Sequence, residues 1–163
     1  MVIIGIDPGK SGGIAIIQPH NSKGVIECIH AFGCPEDISG MNQLIRRTKN
    51  TQPYKNIVCY LEQVHAFPTD GRSSVFKFGM NYGIWQGILG ANQIYTKLVI
   101  PRKWQSHFGE LPKDKQERKR TLKMIASEQS GLKATLKTAD AICIALYGLH
   151  TELDNWKKDK NET

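Results

Sequence analysis

Three acidic residues stand where acids could do chemistry. Asp7 closes the apolar run Val2 to Ile6, Glu62 closes a second run, Ile57 to Leu61, and Asp140 sits within Lys137-Thr138-Ala139-Asp140-Ala141 at the opening of a last apolar stretch. If the two runs are adjacent strands of one sheet, their terminal carboxylates meet in space, and unpaired carboxylates held this close call for a cation. Hard oxygen ligands select Mg²⁺ or Mn²⁺, and Mg²⁺ commonly takes few carboxylates, its shell completed by waters and substrate phosphate. A third acid from a helix packed on the sheet would complete such a cluster. Two ions roughly 3.5–4 Å apart can activate a water and stabilise the leaving oxygen of a phosphodiester. The plainer reading of Asp7, a strand-end residue capping Gly9, explains one acid but not three.

These acids need a scaffold, and the chain spells one out. The turn Pro8-Gly9-Lys10-Ser11-Gly12-Gly13 ends the first strand at Asp7. Ile14–Ile17 and Val25–Ile29 read as two further strands of an antiparallel meander, joined by the polar turn from His20 to Gly24. Ile38, Met41, Leu44 and Ile45 predict a helix over 36–49, a crossover that makes the strand 57–61 parallel to the first. From Ser73 to Leu89 the residues Val75, Phe78, Tyr82, Trp85 and Leu89 recur at helical spacing, with Gly79, Gly83, Gly87 and Gly90 on another face. Each glycine destabilises a helix by about 0.5–1 kcal/mol, so close packing against a second backbone must compensate. A strand over 94–100, a short helix over 102–108, a basic helix over 115–129 and an apolar helix over 136–150 follow. We expect one domain over 1–150 and a polar, frayed tail over 151–163.

Composition narrows the class. With 163 residues, 40% hydrophobic and 23% charged, the chain matches ordinary globular usage and one core. No apolar run approaches the ~18–20 residues of a membrane span, and the amino terminus carries no basic leader, so a cytoplasmic protein is expected. The four cysteines lack CxxC spacing and three lie in apolar surroundings, which predicts reduced thiols and neither disulfide nor zinc. The net charge is +7, and residues 102–137 hold ten Lys/Arg against four acids. Such concentration is the footprint of a phosphate-backbone binder, although a solvated helix face reads similarly. Arg102, Lys103, Lys115, Arg118, Lys119, Arg120 and Lys123 are the candidate phosphate contacts, with Lys10 and Arg72 in loops beside the carboxylates. Asp70, Asp114 and Asp154 lie in polar loops or tails and His20, His30, His107 and His150 lack metal spacing, so none is assigned a role. Trp85 is expected in the core; Trp104 either packs there or stacks on a base.

Four stretches carry a family resemblance. Ile4-Gly5-Ile6-Asp7-Pro8-Gly9, Leu61-Glu62-Gln63-Val64, Val99-Ile100-Pro101-Arg102-Lys103-Trp104 and Ala139-Asp140-Ala141-Ile142-Cys143-Ile144-Ala145 resemble, in order and spacing, the motifs of RuvC-type Holliday junction resolvases. Pro68 to Leu89, with Ser74, Phe76, Phe78-Gly79 and Gly83, resembles the helix that this family places after its Glu strand, especially in viral and phage members, which suggests a phage-encoded protein of a bacterial cell. The likeness covers about residues 2–149. Asp-x-Gly after a strand also opens actin-like ATPases, but their two lobes need far more chain.

The resemblance implies an α/β ribonuclease-H-like fold: a five-stranded mixed sheet of order 3-2-1-4-5 flanked by helices. It further implies a homodimer whose two sites face one four-way junction or other branched DNA, making paired nicks that leave 5′-phosphates. Mg²⁺, with Mn²⁺ as substitute and two ions per site, would be held by Asp7, Glu62 and Asp140. The family places a fourth acid or a histidine three residues before the last Asp, and here that residue is Lys137. Three residues apart on one helix, Lys137 and Asp140 would share a face, and the ammonium could hold the scissile phosphate or neutralise transition-state charge. The family's apolar wedge, three residues after the Glu, is His65 here, with Phe67 two further on. A branch-migration partner is left open. Two other classes stay in play: a junction-binding module that kept the basic face and lost catalysis, and another ribonuclease-H-like nuclease.

Overall fold

Side chains alternate along a strand, so an unbroken apolar run such as Val2 to Ile6 is stable only in a sheet covered on both faces. That arrangement is observed. The computed structural model describes residues 1–20, 25–51, 56–65 and 71–161. In it β1 (Val2–Asp7), β2 (Gly13–Pro19), β3 (Ile26–Gly33), β4 (Ile57–Glu62) and β5 (Tyr95–Val99) form one sheet in the order β3-β2-β1-β4-β5. The pairs β1–β2 and β2–β3 are antiparallel, and β1–β4 and β4–β5 are parallel. The helices are α1 (Ile38–Thr51), α2 (Arg72–Ala91), α3 (Pro101–Ser106), α4 (Lys115–Ser130) and α5 (Ala139–Asn161). The mixed five-stranded sheet has the expected order.

Alternation sorts the core into two layers. Ile4, Ile6, Ile14, Cys59 and Leu61 bury one face against Met41 and Ile45 of α1 and Trp85 and Leu89 of α2. Ile3, Ala15, Ile17 and Tyr60 bury the other against α5, with Trp104 of α3 and Leu122 and Ala126 of α4 closing that layer. The approach of α5 depends on one missing side chain. A Cβ on Gly5 would overlap the Ala141 carbonyl, the Ala145 amide and the Ala145 methyl, so α5 lies directly across β1 because all three residues are small.

Element ends differ from the sequence reading in instructive ways. Thr138 Oγ1 accepts from the Thr135 amide at 2.9 Å and the Ala139 amide donates to the Thr135 carbonyl, forming a turn that holds the start of α5 at Ala139. Lys137 therefore precedes the helix. At the other end α5 runs to Asn161 instead of fraying from Thr151, because Glu152 accepts from Tyr60 Oη at 2.7 Å and Lys97 Nζ at 2.6 Å while Leu153 packs on the core. Among the described residues no helix is long and apolar enough to cross a membrane. All four cysteines are free thiols; Cys59 and Cys143 are buried, whereas Cys28 and Cys34 are partly exposed, one more than expected.

Candidate active site

The parallel register pairs Ile6 with Leu61, so the next residues, Asp7 and Glu62, emerge side by side at the carboxyl ends of neighbouring strands. Both belong to the α5 face, since Ile6 and Leu61 are buried on the other. The α5 crossing at Gly5 brings Asp140 in the first turn of that helix to the same place, where the positive end of the helix dipole favours an acid. The loop after Asp7 is tightly built. Gly9 has φ +123°, a conformation side chains rarely adopt, and a Cβ on Gly12 would overlap the Asp7 carbonyl.

The three acids are electrostatically linked. Burial raises the Asp7 carboxyl well above its ordinary range, the charges of Glu62 and Asp140 and a hydrogen bond to Glu62 raise it further, and Lys119 opposes them. Glu62 is raised by burial, with Asp140 adding to the rise; donation from Trp104 and the bond from Asp7 pull the other way. Asp140 is raised by burial and lowered by Lys119 and Arg118. Like carboxyls brought this close favour a proton between them, because it relieves their repulsion. A divalent ion is the natural replacement for that proton, so the donor set fits a hard metal. Among the described residues no three His, Cys, Asp or Glu side chains converge on one metal position. That is compatible with Mg²⁺, which uses one or two carboxylates plus water and substrate phosphate.

Trp104 is a site residue that the sequence left open between core and base stacking. It is fully buried, and its Nε1 donates to Glu62 Oε1 at 2.8 Å. The bond occupies one carboxylate oxygen and leaves the other for the site. Pro101 at the start of α3 was the available signal, because it opens a helix and thereby sets which of the following residues turn inward.

Lys137 requires a correction. In the turn before α5 it does not share a helix face with Asp140; its side chain runs past Gly33 into a cleft of about 1020 Å³. The cations whose charges reach the carboxylates are Lys119 and Arg118 of α4, which the sequence suggested as plain phosphate contacts. Arg118 also donates to the Pro112 and Lys113 carbonyls at 3.2 and 3.0 Å. Lys115, Arg120 and Lys123 are exposed on α4, Arg102 and Lys103 are exposed on α3, and Arg72 is exposed at the start of α2. His65 is exposed and lines the cleft together with Lys10, Lys77, Phe78 and Tyr82. Phe67 lies outside the described residues.

No protein-family model and no curated protein matches this sequence. Solved structures do match in fold. The fold, a five-stranded mixed sheet with flanking helices, is similar to that of RuvC resolvase structures. Thermus thermophilus RuvC superposes with a TM-score of 0.63 at 17% identity, over 94% of this chain and 97% of that one. T. thermophilus RuvC in complex with a Holliday junction substrate gives a TM-score of 0.65 at 14% identity, over 94% and 96% of the two chains. The yeast mitochondrial Holliday junction resolvase Ydc2 is a looser match, at a TM-score of 0.48 and 14% identity over 98% of this chain and 83% of that one.

Proposed function

We propose that this chain is a metal-dependent endodeoxyribonuclease that cuts branched DNA, four-way junctions foremost, as a homodimer. One observation carries the reading: Asp7 and Glu62 end neighbouring strands at the carboxyl edge of the sheet, close enough to Asp140 and to Lys119 of α4 for their charges to act on one another. Bound Mg²⁺ would supply a polarised phosphodiester and an activated water. Asp7 and Glu62 would hold it, Asp140 would complete the negative pocket, and Trp104 would keep Glu62 in one orientation. Lys119 would offset the excess negative charge and draw a phosphate in. The cleft that reaches Gly9 and Val64, each two residues past one of the acids, has Lys10, Lys77 and Lys137 with Phe78 and Tyr82 in its lining and is suited to a DNA strand, cations for phosphates and rings for bases. A second reading, a junction-binding module without catalysis, is favoured by Lys137 standing in place of a fourth ligand.

Cleavage of a labelled four-way junction, a duplex and an RNA–DNA hybrid, each with and without Mg²⁺, separates these readings and the other nuclease classes. The proposal expects Mg²⁺-dependent paired nicks in the junction, lost in Asp7→Asn, Glu62→Gln and Asp140→Asn while junction affinity stays within a few fold, because phosphate contacts dominate binding. Tight binding without cleavage by the parent would establish the binding module instead. Full activity in any one variant would remove that acid from the site.

A further inference from the structure

The segment that follows Asp7 is held from outside by one side chain. The buried Gly9 amide donates to Asn81 Oδ1 at 2.7 Å, across a sequence separation of 72 residues. The other end of the same side chain, Asn81 Nδ2, reaches Cys34 Sγ at 3.6 Å. Cys34 in turn donates its backbone amide to the Gly12 carbonyl at 2.9 Å, and the Gly12 amide returns to the Gly9 carbonyl at 3.1 Å. Gly9, Asn81, Cys34 and Gly12 thus form a closed hydrogen-bonded circuit around the Asp7 loop. Phe78, one turn before Asn81 on α2, lies over Gly9 so closely that a Cβ there would sit 3.1 Å from its ring. On the same helix, Phe76 and Met80 are 69% and 51% exposed, so α2 presents an apolar outer face beside the residue that grips the loop.

We infer that Asn81 is a positioning residue for cleavage: from α2 it sets the loop that follows Asp7 by holding the Gly9 amide. The inference rests on Asp7 taking part in cleavage. Its physical basis is an asymmetry of hydrogen bonds. With Asn81 replaced by an apolar residue, the buried Gly9 amide loses its acceptor, and a buried donor left without a partner is costly to the folded state. A loop built on a positive-φ glycine answers by moving, and small displacements of a reacting group reduce rates steeply.

Asn81→Leu removes both ends of the circuit at similar volume, and Asn81→Asp keeps the acceptor for Gly9 while losing the donor to Cys34. Asn81→Ala serves where Leu does not fold. Three readouts are taken on each full-length protein: hydrogen exchange of the Gly9 amide by NMR, the single-turnover cleavage rate on a four-way junction in Mg²⁺, and junction affinity. Leu or Ala should speed Gly9 exchange and slow cleavage, each by roughly tenfold or more. Affinity should change little, and Asp should restore both exchange and rate to within about threefold of the parent. Parent-like cleavage in Leu and Ala, or an Asp variant as slow as Leu, would overturn the role of Asn81. A parent that cuts no branched DNA would instead defeat the proposed function, and Gly9 exchange would still decide whether Asn81 holds the loop.

Discussion

Asp7 is where folding and the proposed chemistry pull in opposite directions. Its carboxyl is raised by burial and then by two neighbouring carboxylates. An acid whose folded-state pKa is raised contributes stability below its unfolded pKa and loses it as pH rises through the folded value. The metal-free protein is therefore strained at neutral pH by the residues it needs. Asp7→Asn relieves that strain, and in EDTA at neutral pH it should melt higher than the parent by a few degrees, since ~1 kcal/mol moves a chain of this size by about 2–4 °C. The gain should vanish below about pH 4, where the parent carboxyls are protonated in both states. Added Mg²⁺ should raise the parent's melting temperature and the variant's less. A lower melting temperature for the variant in EDTA would mean that the ionised carboxylate is held by favourable contacts. Trp104 acts at the same scale, as a buried donor whose loss would free Glu62 to rotate.

Helix α2 is an element built against its own stability. Among the described residues, a Cβ on Gly79, Gly83, Gly87 or Gly90 would meet nothing within 4 Å, so the close approach that these glycines permit is not used there. Under the proposed function, a second copy of the chain would supply the packing that offsets them together with the second site that paired nicks require. Phe76, Met80, Gly83 and Gly87 recur four, three and four apart, which makes one stripe, and the two large residues on it are exposed. Gly83→Leu combined with Gly87→Leu should leave the folded chain intact and convert a dimer to a monomer, measured by light scattering at micromolar concentration. A doubly substituted protein that still has dimeric mass would place the interface elsewhere.

Across the whole molecule, the charge excess concentrates in residues 102–137, and α4 carries part of it past the acids. Lys115, Lys119 and Lys123 recur four apart along α4, so a basic stripe passes the carboxylates with Lys119 at its centre. All three are exposed; the charge of Lys119 acts on Asp7 and Asp140, and under the proposed function Lys115 and Lys123 would contact phosphates on either side of it. Junction affinity should fall steeply with salt, and Lys115→Ala with Lys123→Ala should reduce the log–log slope by about 0.9 for each phosphate that is no longer neutralised. Cleavage at saturating DNA should be much less affected. An unchanged slope would move the DNA path to α3 or the cleft.

Much of this was determined by the sequence alone. Strand periodicity, the Pro-Gly turn after Asp7 and the helical spacing of the intervening segment sufficed for the antiparallel meander and the parallel return of the fourth strand, whereas the full sheet order came from the family resemblance. The strand-end positions of Asp7 and Glu62 followed from the same pattern. Other features were decided only in three dimensions. Lys137 left the helix because two threonine hydroxyls close a turn before it, a competition between side-chain and helical hydrogen bonds that spacing does not reveal. Asn81 and Trp104 reach the Asp7 loop and Glu62 across 72 and 42 residues. The charge of Lys119 reaches Asp7 and Asp140 because α4 packs on α5. Periodicity tells which face of an element is buried; which polar atom lies opposite it depends on how the packed layers meet.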